Sequence, residues 1–185
     1  MSTFLKDSKS GVCLRPIEVE DAELCIKWMN DQRNRQMLRV WLPYSLEKER
    51  GWIKKIAEQA TPPADVPLLI TWKGKPVGVA GLHRIQWDWR CAEIGICIGE
   101  RKKRHSGVGS ASYRLLMRYA FEEMGLLLLE ADVYTTNKPS LKFHQSLGFK
   151  RVGYSEPKAL VAGKRVPVAI YSMTRGRWRK LHAKK

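Results

Sequence analysis

The stretch Arg104-His105-Ser106-Gly107-Val108-Gly109-Ser110 decides how this chain folds. It lies between a strand-like run ending near Gly99 and a helical pattern running from about Ser110 to Met124. Gly107 and Gly109 let the backbone approach a ligand closely. The free amide hydrogens of a helix start, together with the helix dipole, form an anion site. Arg104 adds a fork of donors, so a phosphate or pyrophosphate is the expected ligand group. The stretch is not a P-loop, because no Gly-Lys-Ser/Thr follows, and it is not a Gly-x-Gly-x-x-Gly dinucleotide fingerprint. Local chemistry alone leaves phosphate binding and a merely tight turn equally open.

Outward from this loop, residues 91–99 read as a strand, and Leu127 to Tyr134 as a buried one. Strand, glycine turn, helix and strand in that order imply a parallel pair joined by a crossover helix. Downstream, a short helix over Lys138 to Leu147 stops at Gly148, and 149–154 and 166–174 form a last pair of strands. Upstream, 67–73, 76–85 and 91–99 form a meander after the break at Thr61-Pro62-Pro63. Ser45 suits the N-cap of a helix reaching about Ala60. An earlier helix starts near Glu20-Asp21, with Ala22, Leu24, Cys25, Trp28 and Met29 on its apolar face, after a strand over Val12 to Arg15. The expectation is one α+β domain over 12–175. Its mixed, mostly antiparallel sheet has about seven strands with a central parallel pair, and it carries four helices. Residues 1–11 are expected to be a flexible N-terminus and 176–185 a basic tail.

Composition narrows the function. The 185 residues are 44% hydrophobic and 28% charged, which is globular and not disordered. No apolar run approaches the ~20 residues needed to span a bilayer, and the first eleven residues lack an apolar signal core. A cytoplasmic protein with no membrane partner is expected. Cys13, Cys25, Cys91 and Cys97 form no Cys-x-x-Cys pair, and no metal site is expected. The charge sum, 34 − 18 = +16, speaks about partners rather than fold.

Three motifs carry a resemblance. Arg104-x-x-Gly107-x-Gly109 matches the Arg/Gln-x-x-Gly-x-Gly/Ala signature of the GNAT family of N-acetyltransferases. Asn137-Lys138-Pro139-Ser140 followed by Leu147-Gly148-Phe149 resembles the family's Asn-x-x-Ala/Ser…Leu-Gly-Phe segment. Leu14-Arg15-Pro16, Glu20-Asp21-Ala22 and Trp28-Met29-Asn30-Asp31 are similar to the subgroup of ribosomal-protein N-terminal (RimJ/RimL-like) and spermidine acetyltransferases. The resemblance covers roughly 12–175 and implies direct acetyl transfer from acetyl-CoA to a primary amine. It assigns the pyrophosphate to Arg104, His105, Ser106, Gly107, Val108, Gly109 and Ser110. The pantetheine arm is expected at Ile96, Cys97 and Ile98, with Asn137 and Ser140 near the coenzyme. Glu93 is the candidate general base, and the alternative is a solvent-facing strand residue. His144 stands where many members carry the tyrosine that protonates the thiolate, so it is either the general acid or a core histidine. An acetyl-cysteine at Cys97 is disfavoured, because apolar neighbours raise a thiol's pKa.

The acceptor is the least legible part. In such enzymes it lies over segments 30–52 and 83–92, where Arg39, Trp41, Tyr44 and Trp87 are candidate contacts; packing is the alternative reading. The +16 charge repels a free polyamine and attracts an anionic acceptor, such as an aminoacyl-tRNA or a nucleotide-linked amino sugar. From Pro157 to Lys185 there are nine Lys/Arg and no Asp/Glu. Arg175-Gly176-Arg177-Trp178-Arg179-Lys180 interleaves base and aromatic as an RNA- or ribosome-contacting segment does, or is simply a solvated basic tail. A homodimer is a further expectation.

Overall fold

The computed structural model describes residues 3–38, 42–104, 106–157, 159–161 and 163–182. The chain starts with β1 (Leu5–Asp7) and β2 (Val12–Pro16), then α1 (Ala22–Asn30), α2 (Gln32–Met37) and α3 (Leu46–Ala57). The meander is β3 (Val66–Trp72), β4 (Lys75–Gln86) and β5 (Cys91–Ile98). Next come α4 (Val108–Arg118), which runs into a π turn at Tyr119–Glu123, then β6 (Leu128–Tyr134) and α5 (Lys138–Ser146). The remainder is β7 (Lys150–Tyr154), the small hairpin β8 (Ala159–Val161) and β9 (Lys164–Val166), β10 (Val168–Thr174) and α6 (Arg175–His182).

The main sheet runs β1-β2-β3-β4-β5-β6-β10-β7. Every neighbour pair is antiparallel except β5–β6, the parallel pair bridged by α4. That matches the expected α+β class and its crossover. Among the described residues the sheet has eight strands rather than seven, and there are six α-helices rather than four. The extra strand lies in the segment expected to be flexible. Leu5 pairs with Leu14 and is buried, and the Phe4 ring meets Tyr119 edge-on at 4.9 Å. Two adjacent apolar residues thus anchor an otherwise polar segment. The extra helices are α2, capped by the Asp31 side chain, and α6 in the expected tail.

Helix α4 lies on one face of the sheet, burying Tyr113, Leu116, Met117 and then Phe121 in a core shared with Leu82, Ile94, Leu129 and Tyr171. Each such side chain contributes roughly 1.5–3 kcal/mol on burial. Helix α1 covers the other face with Cys25 and Trp28, packed near Leu69 and Val79. A buried ion pair fixes its entry: Arg15 Nη1 and Nη2 donate to Asp21 Oδ2 and Oδ1, each at 2.7 Å. On this face His83, Glu93 and Gly95 are only half-buried, so the sheet stays partly open there.

Candidate active site

The donor side begins where two strands part. β5 pairs with β6 only over Cys91–Glu93 against Leu128–Glu130. Beyond Glu93, β6 stays paired with β10, while Ile94 to Ile98 keep only β4. No strand pairs with their β6 side, where side chains take the Ile94 and Ile98 carbonyls and the backbone groups around Ile96 are left for an extended ligand. At the end of β5 the chain turns into α4 through Gly107, whose φ of +82° is left-handed and favours glycine. No side chain among the described residues caps α4, which leaves the first-turn amides from Val108 onward available. A Cβ at Gly109 would make only ordinary contacts with Ile98, Phe143 and Ile96 at 3.6–3.9 Å, which agrees with a Gly/Ala position.

Arg104 sits at this loop, but its fork is committed inward. Nε and Nη2 donate to the Ile98 carbonyl at 3.2 Å, and Nη2 also donates to Asn34 Oδ1 at 2.5 Å. Asn34 is itself buried and donates from Nδ2 to the Trp28 carbonyl at 2.8 Å. Arg104 therefore ties α2 to the end of β5, which leaves the backbone amides as the donors an anion could use at this loop. Ser106 Oγ donates to the Lys103 carbonyl at 2.6 Å. His105 lies outside the described residues, as do Arg39 and Trp41 on the acceptor side. Burial raises the Cys97 thiol to about 11, which keeps it protonated and unreactive near neutrality.

Asn137 is a helix cap: its Oδ1 accepts from the Ser140 amide at 3.2 Å. His144 is buried. Its Nδ1 lies 2.8 Å from the Ser140 carbonyl, which can only accept, so Nδ1 carries the proton. The Tyr113 hydroxyl lies 2.9 Å from Nε2 and 3.1 Å from the Ile94 carbonyl, and its one proton is shared between them. Burial lowers the His144 pKa, outweighing the Ser140 contact, so the ring is neutral. Both ring nitrogens are thus engaged inside the protein, among Phe143, Phe149 and Tyr171. This geometry favours the core role over the general acid. No free N–H of this ring reaches the β5–β6 gap.

On the acceptor face, the Glu93 carboxylate is held by the Arg84 guanidinium. His83 stands directly across the sheet from Glu93, and its Nδ1 lies 3.2 Å from Asp65 Oδ1. Trp87 is half-buried: its Nε1 donates to the Pro63 carbonyl at 2.8 Å and its ring packs against the core, which favours the packing reading. Tyr44 is bracketed by Asn30, which donates to its carbonyl at 2.8 Å and accepts from its amide at 2.9 Å. Asp65, Asn34 and Tyr113 went unnoticed in the sequence. Each meets its partner 18, 70 or 31 residues away, and no local pattern marks such a contact.

Uncapped backbone amides at the start of α4, an unpaired stretch of β5 and a half-open polar face beside it are compatible with a group-transfer enzyme that uses a phosphate-bearing carrier. The family model described as an acetyltransferase (GNAT) domain matches residues 12–150, and the chain belongs to this family. It is 25% identical over 164 residues to the uncharacterized N-acetyltransferase p20 of Bacillus licheniformis, covering 86% of this chain and 90% of that one. It is 26% identical over 177 residues to the protein named "Putative ribosomal N-acetyltransferase YdaF" from Bacillus subtilis (strain 168), covering 90% and 93%. The fold superposes with a TM-score of 0.83 on Vibrio cholerae spermidine N-acetyltransferase in complex with CoA and spermine, at 18% identity over 91% of this chain and 98% of that one. The protein is an acetyl-CoA-dependent N-acetyltransferase that transfers an acetyl group to an amine. The α4 amides and the β5–β6 gap fit a pyrophosphate joined to an extended arm, and acetyl-CoA held there would supply an activated thioester. No helix among the described residues is long and apolar enough to cross a membrane.

Proposed function

We propose that the acceptor is the α-amino group of a protein N-terminus, presented to the open face of β4 and β5 by a cytoplasmic partner. The observation that carries this reading is the Arg84–Glu93 pair in a chain of net charge +16. The Glu93 carboxylate beside the strand gap is already countered by Arg84, which weakens its pull on a polyamine. The relative named for ribosomal N-acetylation adds support. In this reading Gly107, Val108, Gly109 and Ser110 hold the pyrophosphate through their amides, and Ile96, Cys97 and Ile98 face the pantetheine arm. Ser106, Asn137 and Ser140 shape the two ends of that groove. Proximity supplies much of the rate. The test is acetylation of a peptide with a free N-terminal serine against spermidine, each with acetyl-CoA, read by mass spectrometry. Preferred turnover of the peptide supports the reading, and preferred turnover of spermidine overturns it.

A second reading concerns RNA. Helix α6 buries Trp178 beside Phe121, with ring centroids 5.6 Å apart, so this tryptophan is not free to stack on bases. Arg177, Arg179 and Lys180 are exposed around it, which leaves a charged face without its aromatic. That face suits phosphate contacts near a ribosome. Reversing all three charges should weaken RNA binding and flatten its salt dependence. Self-association is a further part of the proposal. β7 ends the sheet as an edge strand with Val152 and Tyr154 exposed, and sedimentation should return a dimer mass.

A further inference from the structure

On the open face of β4 and β5 lies a histidine–aspartate pair that the known chemistry of the fold does not require. His83 faces Glu93 in the strand register, and the same register sets Gly81 against Gly95. The imidazole lies over those two glycines. A Cβ on Gly81 would come within 3.0 Å of His83 Nε2, and one on Gly95 within 3.8 Å. Any larger residue at Gly81 would displace the ring, so the glycine pair forms its floor. Gly95 is two residues beyond Glu93, the last residue of β5 paired with β6. The ring therefore overlies the point where the strand gap opens.

The other nitrogen is fixed. Asp65 Oδ1 lies 3.2 Å from His83 Nδ1 and accepts the Arg84 amide at 3.3 Å. Asp65 is held in turn by Gln59, whose Nε2 donates to the Asp65 carbonyl at 2.7 Å and whose Oε1 accepts the Asp65 amide at 3.2 Å. A carboxylate at Nδ1 selects the tautomer that leaves a lone pair on Nε2. The His83 side chain is 41% exposed, so an acceptor can reach it. Glu93 is less suited to the task, because its carboxylate is occupied by the Arg84 guanidinium.

We propose that His83, oriented by Asp65, is the general base of the acetyl transfer. The inference rests on the acetyltransferase reading and adds the residue that activates the acceptor. The acceptor ammonium gives its proton to Nε2. The freed nitrogen lone pair forms the N–C bond to the acetyl carbonyl carbon as the C–S bond breaks. The sulfur keeps the electrons of that bond and ends as the thiol on taking a proton from the product side. Asp65 is a positioning residue. The charged groups facing His83 are Asp65 from the loop before β3, Arg84 on β4, Glu93 on β5 and, one strand further, Glu130 on β6.

The test compares wild type, His83→Gln, Asp65→Asn and Glu93→Gln. Acetyl-CoA affinity is read by calorimetry, and turnover with a serine-terminated peptide and with spermidine is read across pH. His83→Gln should bind acetyl-CoA like wild type and lose at least about 100-fold in kcat/KM for the acceptor. It should also lose the acidic limb that belongs to the base. Asp65→Asn should lower kcat with little change in KM. Wild-type turnover and pH profile in His83→Gln, or loss of turnover in Glu93→Gln alone, overturns the proposal. Failure of wild type to bind acetyl-CoA would instead sink the acetyltransferase reading. If neither acceptor turns over, the neutral tautomer of His83 decides by nitrogen NMR, with His83→Gln assigning the signals. The Nδ1–H form supports the proposal and the Nε2–H form overturns it.

Discussion

Replacing Gly107 separates the two ways in which the loop can matter, its backbone shape and its charge. An L residue at φ +82° costs about 1–2 kcal/mol, with Asn and Asp at the lower end because both tolerate the left-handed region. Gly107→Asn and Gly107→Asp should therefore destabilise the fold alike, by about 1 kcal/mol, a Tm drop of about 2–4 °C. A Cβ there meets nothing within 4 Å in the free protein, so the new side chain projects into the space of the ligand. The two side chains are nearly the same size and differ by one charge. A carboxylate about 4 Å from one phosphate charge is repelled by about 1 kcal/mol in water-like surroundings and about 4 kcal/mol at an effective dielectric of 20. Gly107→Asp should thus bind acetyl-CoA about 5- to 1000-fold more weakly than Gly107→Asn. Calorimetry at low and at high salt measures the gap, which should shrink as screening grows. Equal affinity of the two variants at low salt would refute the placement of the pyrophosphate at this loop.

Other outcomes follow from the same structure. Burial alone would raise the Asp21 carboxyl, but its hydrogen bonds from Arg15 and the Glu18 amide bring it below the usual range. The pair's stabilisation is therefore complete above about pH 4 and lost as pH falls through the lower folded value. Asp21→Asn should cost about 3–5 kcal/mol in urea denaturation at pH 7, and a cost below about 1 kcal/mol would count against the buried pair. His144, lowered by burial, stays neutral when folded, whereas the unfolded chain gains a proton below about pH 6.5. Stability should drop from pH 7.5 to 5.5 in wild type, and less so in His144→Gln. A Cβ on Gly78 would run into the Cys97 carbonyl on the paired strand. Gly78→Ala should cost about 1–3 kcal/mol and weaken acetyl-CoA binding by moving β5; wild-type values for both would contradict the close approach.

The sequence was most readable where structure depends on neighbours in the chain. Gly107 in the left-handed region, Ser45 accepting from the Lys48 amide and Asn137 capping α5 are local events, written in single residues. The parallel pair followed from strand, glycine turn and helix in order. β1 escaped notice because Lys6 and Asp7 look solvated, and only the distant strand β2 explains Leu5. The helix over the expected tail escaped because Trp178 reads as an RNA contact until Phe121 is seen beside it. Arg104 fits the motif, yet its guanidinium serves Ile98 and Asn34, a use that no spacing announces. His144 illustrates the same limit: its identity pointed to acid chemistry, and its neighbours Tyr113 and Ser140 keep it in the core.

Calorimetric titration with acetyl-CoA at moderate salt, with ATP and NAD as controls, tests the central claim most directly. The account predicts selective one-to-one binding of acetyl-CoA that survives added salt, because backbone amides and a strand gap hold it. Weak binding shared with ATP and erased by salt would contradict it, and would leave only a basic surface that attracts any anion.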